Sequence, residues 1–499
     1  MTISAVVKPL IFVLSDLMVS GSDIVIATHP DGSDFYGAAT AVSDSLLVVG
    51  APKEDSSARV INGEASNNSA WNSGAAYVYR RRGAGWDIEA YLKPDNAQSN
   101  QHFGEAVAVA AAVDLIVVGA PFESSNGSSS SDTSAPRAGA AYVFERNRQN
   151  VWVQTAYLKP KFPDAHDYFG QSISISGNGS TIVIGAPGND SASAMVNSNE
   201  ADNSLMQAGA AYAFVKRSGV WQQVSFLKPA NAGFKDAFGH SVDVNFDGGR
   251  IVVGAQNESS ASSDPNDNKC AYCGAAYVFD RMGSNHFRRR QTAYLKPIMP
   301  IIYQQFGRDV TINNQGTTIA IGAPRDWKRY FGPAEDEPLP RAYVFQDNYG
   351  KWKQTQTLLP ENIQYYDAFG HSVDFSPSGK YLIVGAPNDR NSGKGINNSD
   401  DNSISHDYSG AAYIYKTDGL SFVQTHYLKG RGSDPFDIAG FSVSISGSQV
   451  AVGIPGKDSK NNGIVDLNTA ITKTTDKRLI NAGAAMLFDL PTDLGLIPD

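Results

Sequence analysis

The chain has 499 residues, with 41 Lys and Arg against 50 Asp and Glu, for a formal charge of −9. That sign disfavours binding to nucleic acid or to an anionic membrane, and no apolar run reaches the roughly eighteen residues a spanning helix needs. A hydrophobic content of 41% excludes global disorder, and 47 Gly beside 22 Tyr and 23 Phe favour strands and turns over helices.

In chain order, the first apolar stretch is Ile3–Pro9 (ISAVVKP), which matches Val153–Pro160 (VQTAYLKP) at Ala, Lys and Pro. Leu10–Val19 has the length of a signal h-region, but Asp16 interrupts it and only Lys8 precedes it. From Tyr36 onward one pattern recurs seven times. It opens with an aromatic-Gly pair: Tyr36-Gly37, Phe103-Gly104, Phe169-Gly170, Phe238-Gly239, Phe306-Gly307, Phe369-Gly370 and the variant Ala439-Gly440. An apolar run then ends in Gly-Ala-Pro at Gly50, Gly119, Gly185, Gly322 and Gly385, with Gly254-Ala255-Gln256 and Gly453-Ile454-Pro455 as variants. GAAYVF or a close relative begins at Gly74, Gly139, Gly209, Gly274, Gly410 and Gly483, shortened to RAYVF at Arg341. A run that carries Trp86, Trp152, Trp221 and Trp352 in four of the blades ends in YLKP at Tyr91, Tyr157 and Tyr294 and in FLKP at Phe226, degrading to LLP at Leu358 and YLKG at Tyr427. From Gly37 to Gly440 is 403 residues over six intervals, a period of about 67.

Each element reads as a strand. Runs such as LLVVG and TIVIG are short, β-branched and apolar throughout, as strands buried on both faces are. Four strands per unit in seven units predict an all-β, seven-bladed propeller of four-stranded antiparallel blades, one domain over residues 1–499. The blades start near residues 35, 102, 168, 237, 305, 368 and 438. The last repeat stops after Gly483–Asp489 without its fourth strand, so residues 2–9 are expected to complete blade seven and close the ring, with residues 10–34 as the connection into blade one.

With these motifs in hand, the chain resembles the FG-GAP repeat family, which includes the integrin α-subunit propeller. The resemblance implies a seven-bladed propeller, an extracellular or cell-surface setting, and protein or glycan binding rather than catalysis. Integrin-like members hold calcium in a loop between strands one and two. Here that interval is too short, and the nearest match, Asp243, Asn245 and Asp247 before Gly248, has the apolar Ile251 where a ligand is needed. An ordinary Asp-Gly turn is the expectation there.

Strand alternation puts loops two-three and four-one on one face. The two-three loops are long in every blade (53–73, 122–138, 188–208, 257–273, 325–340, 388–409 and 456–482), and scaffolded loops are where binding residues concentrate. Candidate ligand-face residues are the acids after each Gly-Ala-Pro (Glu54, Asp55, Glu123, Asp190, Glu258, Asp326, Asp389 and Asp458) and the loop aromatics Trp71, Trp327, Tyr330 and Tyr408. Two readings of the acids stand open. They form a ring able to hold cations or a basic partner, or they accept backbone N–H bonds at loop starts, the favoured reading. A second recurrent acid precedes the aromatic-Gly pair at Asp34, Asp167, Asp236 and Asp367, so Asp167, Asp190, Asp236, Asp367 and Asp389 are candidate calcium ligands, although the fold requires no cofactor. The residues after each Phe-Gly glycine (Ala38, Glu105, Gln171, His240, Arg308, His371 and Phe441) are expected to line a hydrated central channel.

Cys270 and Cys273 suit a local disulfide, with free thiols as the alternative. Asn67, Asn126, Asn189, Asn257 and Asn397 are glycosylation candidates on loops, and Asn178 is a sixth sequon in a turn. No nucleophile elbow, zinc-protease motif or phosphate loop is present, so a non-enzymatic role is expected. A structural subunit of an extracellular filament or coat, which would self-assemble, and a glycan-processing enzyme are the competing readings.

Overall fold

A computed structural model of the chain describes residues 20–83, 85–129, 131–262, 264, 267–283, 289–325, 339–393, 395–397, 408–430, 433–458, 463–466 and 479–490. Seven antiparallel sheets follow one another along the chain. Blade one consists of Ala39–Ser43, Leu46–Ala51, Ala75–Arg82 and Gly85–Leu92. The same four-strand order repeats in blades two to five. Blade six adds a two-residue strand, Gly395–Ile396, outside its fourth strand.

The second strands carry the burial that their composition predicts. All six residues of Leu46–Ala51, Leu115–Ala120, Thr181–Ala186 and Tyr381–Ala386 are buried. Their side chains go alternately to the two neighbouring blades, so the core is not one mass but seven clusters, one per seam. Val48 and Val78 of blade one meet Val118 and Tyr142 of blade two. Leu47, Val49 and Tyr77 of blade one meet Ala451, Ala485 and Leu487 of blade seven. That last seam closes the ring.

The glycines of the repeat are seam residues. A Cβ on Gly50 would lie 2.0 Å from the carbonyl oxygen of Gly104 in the next blade. Gly74, at φ +83°, would meet the Phe103 oxygen at 2.1 Å, and it forms a parallel bridge to Phe103. Equivalent bridges join Gly139 to Phe169, Gly209 to Phe238, Gly274 to Phe306, Gly410 to Ala439 and Gly483 to Tyr36. Backbones this close leave no room for any side chain.

Blade seven corrects one expectation. Its fourth-strand place, beside Ala484–Asp489, is taken by Ser20–Ile26, which pairs on its other side with Gly463–Asp466. Residues 2–9, assigned that place from the Ala-Lys-Pro match, lie outside the described residues. The physical reason is burial on both faces. Ile24 and Ile26 pack toward blade six, and Val25 and Ala27 pack toward blade one.

The two faces differ as the loop lengths predict. One carries tight turns such as Asp44–Ser45 and Tyr349–Gly350; the other carries all the two-three and four-one loops.

Candidate functional site

The loop face is built on a buried lock that recurs at the blades. In blades one, two, four and six the acid four residues after the glycine that ends strand two turns inward and meets the Lys at the end of strand four. Lys93 Nζ lies 2.9 Å from Glu54, Lys159 2.9 Å from Glu123, Lys296 2.9 Å from Glu258 and Lys429 2.5 Å from Asp389. Lys93 Nζ also donates to the Ser56 carbonyl, the Ser73 hydroxyl and the Gly74 carbonyl, each at 2.7 Å. Tyr91, Tyr294 and Tyr427 donate their hydroxyls to the same carboxylates. Each acid also accepts the backbone N–H two residues on, as Glu54 does from Ser56 at 3.1 Å. Burial pushes Lys93, Lys159 and Lys296 below the ordinary lysine range, opposed by the paired carboxylate. Glu54, Glu123, Glu258 and Asp389 therefore lock the two-three loop to the fourth strand of their own blade and are not members of an exposed acidic ring.

Blades three, five and seven vary the lock, and in blade five Leu359 stands in the lysine's place. In blade three the acid is Asn189 and the tyrosine is Phe226, so Lys228 keeps only the Gly209 carbonyl at 2.5 Å, and burial pushes it down to about 7. In blade seven the polarity is reversed: Lys457 occupies the acid's position and pairs with Asp437 at 3.0 Å and Asp434 at 3.3 Å. Ile26 stands where blades one to four and six have lysine, because Val25 pairs with Ala485 as Leu92 pairs with Ala76.

The acids two residues before the aromatic-Gly pair form a second buried set. Each accepts the N–H of the residue three before it: Asp34 from Asp31, Asp167 from Asp164, Asp367 from Gln364 and Asp437 from Asp434. Gln101 and Gln304 make the same bond in blades two and five. Burial raises Asp34 and Asp367 to about 8, Asp167 and Asp236 to about 7, and Asp437 to about 6. A position that accepts glutamine serves a turn, and among the described residues no three metal-ligating side chains converge.

The remaining candidates divide. Asp55, Asp190 and Asp458 accept the N–H of Asn72 (2.7 Å), Gln207 (2.6 Å) and Asn481 (2.9 Å) where the chain enters strand three, the role favoured from sequence. Trp71 is 65% exposed, and Tyr408 is half-buried and stacked on Phe436 at 5.7 Å. Asp326, Trp327 and Tyr330 lie outside the described residues. Cys270 and Cys273 are disulfide-bonded. Of the sequons, Asn126, Asn178 and Asn397 are exposed, Asn67 and Asn257 are half-buried, and Asn189 is 1% exposed inside the blade-three lock, where a glycan has no room.

The central channel encloses about 830 Å³ and is lined by the first strands. The residues after the aromatic-Gly glycines, from Ala38 to Phe441, line it as expected, and its charged network lies in blades four to six. Arg308 donates to His240 Nε2 at 2.7 Å and His371 Nε2 at 3.0 Å, while each imidazole Nδ1 meets a backbone carbonyl. Burial and the Arg308 charge hold both histidines far below their usual range, so they stay neutral acceptors. Asp243, Asp309 and Asp374 accept the N–H of Ile312, Val373 and Ile445 in the following blade. These carboxylates satisfy N–H groups on the unpaired inner edges of blades five, six and seven.

Sequence reasoning missed the YLKP lysines as partners of the acids. The signal was available: blade three loses acid and tyrosine together, and blade seven carries lysine in the acid's place.

Four stretches, residues 86–144, 152–214, 221–279 and 352–415, match the model of the FG-GAP repeat. The chain is an FG-GAP repeat protein. Each match runs from the fourth strand of one blade to the third strand of the next, so the FG-GAP unit straddles a seam and contains the Phe-Gly contact. No curated protein matches the chain. Among solved structures, hydrazine synthase of Kuenenia stuttgartiensis is similar, with a TM-score of 0.48 and 13% identity, covering 90% of this chain and 98% of that one.

Proposed function

We propose that this FG-GAP propeller is a secreted or surface-displayed binding module that recognises a protein or glycan through its loop face. The observation that carries the reading is the set of large apolar side chains exposed on the loop face, which among the described residues carries more of them than the turn face, where Val220, Tyr349 and Leu420 are also exposed. Trp71, Met206 and Ile480, three residues before the strand-three glycine in three blades, are 65%, 53% and 65% exposed. Phe234, 61% exposed, sits beside Met206, to which Lys235 donates its N–H at 2.9 Å. Folding does not require such side chains outside, and rings with one wet edge suit recognition. The Cys270–Cys273 disulfide fits an oxidising compartment.

The test is a glycan and protein binding screen of the intact propeller, with and without calcium. Trp71→Ser or Met206→Ser should weaken a hit while exchange of the flat-face turns leaves it intact. Loss on exchanging the turns, with none on altering the loop face, would reverse the assignment.

A further inference from the structure

The seven blades act as one another's controls. A position that the fold needs keeps its chemistry or its interaction around the ring, and a position that the fold does not need is free to specialise. The seam between blades two and three is specialised. Phe122, three residues after the Gly-Ala-Pro glycine, packs against His102 with ring centroids 4.3 Å apart and against Tyr168 of the next blade at 5.6 Å. The Arg137 guanidinium lies 5.0 Å from the Phe122 centroid. At the seam between blades four and five, the places of Phe122, His102, Tyr168 and Arg137 are held by Asn257, Ala237, Gln305 and Tyr272. That seam closes with the same backbone bridge, so the ring cluster is not a folding requirement. Gly188 makes room for it: a Cβ there would come within 2.6 Å of the Tyr168 ring.

The exposed cations of this seam stand among acids, and Glu200 faces Lys161. Arg137 and His166 are exposed, and Lys161, also exposed, lies 5.2 Å from the ring of Phe162, itself 44% exposed, in the same four-one loop as Tyr168. The acids nearby are engaged by the chain. Glu123 is buried on Lys159, and Asp132 accepts from the Asn126 N–H and the Ser134 hydroxyl, both at 2.8 Å. Asp164 accepts from the Ala165 N–H at 2.8 Å and from Asn203, and Asp167 accepts from the Asp164 N–H at 3.1 Å. The surface thus sets the half-buried rings of Phe122 and Tyr168 and the exposed ring of Phe162 beside the Arg137 guanidinium and the Lys161 ammonium, all on loop residues.

We infer that the seam between blades two and three binds a carboxylate-bearing saccharide. This rests on the loop-face reading and deepens it. Ring faces take the C–H faces of pyranoses, and a guanidinium takes a carboxylate through paired N–H donors. Loop side chains offer no strand edge for an extended peptide to pair with, which favours sugar over an acidic peptide.

The experiment titrates the full chain with polygalacturonate, with its carboxyl-reduced polymer and with poly-glutamate. Polygalacturonate should bind, with the reduced polymer and poly-glutamate each at least tenfold weaker. Arg137→Gln, an exposed and conservative change, should weaken polygalacturonate roughly tenfold or more without moving the thermal midpoint. Phe122→Leu should do the same, and Tyr272→Ala at the control seam should not. Equal binding of the reduced polymer, equal or tighter binding of poly-glutamate, no binding of polygalacturonate, or indifference to Arg137→Gln would each overturn the inference. If Trp71→Ser abolishes binding of a ligand that Arg137→Gln leaves untouched, the loop face stands and this seam is not its site.

Discussion

Blades one and seven solve the same problem with opposite charges. In blade one a loop carboxylate, Glu54, reaches a strand-four ammonium, Lys93, and both are buried. In blade seven the loop residue is the cation, Lys457, and its partners are Asp437 and Asp434 in the four-one loop, while the strand-four place holds Ile26. At these two blades the repeat keeps a buried ion pair under the two-three loop while exchanging the residues that make it. Differences that keep the interaction are structural drift, and differences that leave the seam intact while changing what faces solvent are where a ligand has room to act.

The comparison breaks most severely at the closing strand. Val25 has no exposure and packs between blades seven and one. Val25→Asp buries a charge with no partner, so the purified chain is expected to lose its cooperative unfolding transition and become sensitive to limited proteolysis. A smaller but still large effect follows from breaking one lock. Removing a single partner of a buried pair costs about 3–5 kcal/mol, so Glu258→Gln should lower the denaturant midpoint. A double change, Glu258→Leu with Lys296→Met, should recover most of that loss. If the two single changes and the double change are equally damaging, the pair is not the coupled unit described here.

Blade three sharpens the comparison through pH. Lys228 is held to about 7 by burial, well below an unfolded lysine, so the unfolded chain binds more protons between about 7 and 10.5. Stability from this group therefore rises with pH across that window. Asn189→Glu with Phe226→Tyr installs the blade-one lock, and the slope above pH 7 should flatten in denaturation curves. The acid at Asp34 acts in the opposite sense. Burial raises it to about 8, so the folded chain holds its proton from about pH 4 upward, and its contribution is present at low pH and lost as pH rises toward 8. Asp34→Gln, which copies Gln101, should flatten the stability profile between pH 5 and 8. The smallest expected change is at Arg137, where substitution by Gln should leave stability within about 0.5 kcal/mol.

Much of this architecture was legible in the sequence. Strand type followed from apolar runs such as Leu46–Ala51, and the blade count from the recurring Phe-Gly, Gly-Ala-Pro and GAAY motifs, because each marks a place where two backbones meet. Loop length told the two faces apart. The closing strand was assigned to the wrong residues because Ala-Lys-Pro is the mark of an outer strand whose lysine meets a loop acid, and blade seven has no such acid. Ser20–Ile26 answers instead to two-sided burial, which its Ile-Val-Ile run displays. The favoured reading of the acids as acceptors of backbone N–H bonds was right as far as it went, but their lysine partners were missed, because Glu54 and Lys93 are 39 residues apart and nothing local in either segment announces the pair. The His240–Arg308–His371 bridge was likewise invisible, since it joins three successive blades across the channel.

The most direct test converts blade seven to the polarity of blade one. Lys457→Glu alone places an acid beside Asp437 and Asp434, and Ile26→Lys alone places a second buried ammonium near Lys457, so each should lower the denaturant midpoint. Together they recreate the loop-acid, strand-lysine pair, and the double variant should regain most of the loss. Strictly additive losses would contradict both the register of Ser20–Ile26 in the ring and the claim that the ion pair under the two-three loop can be carried with either polarity.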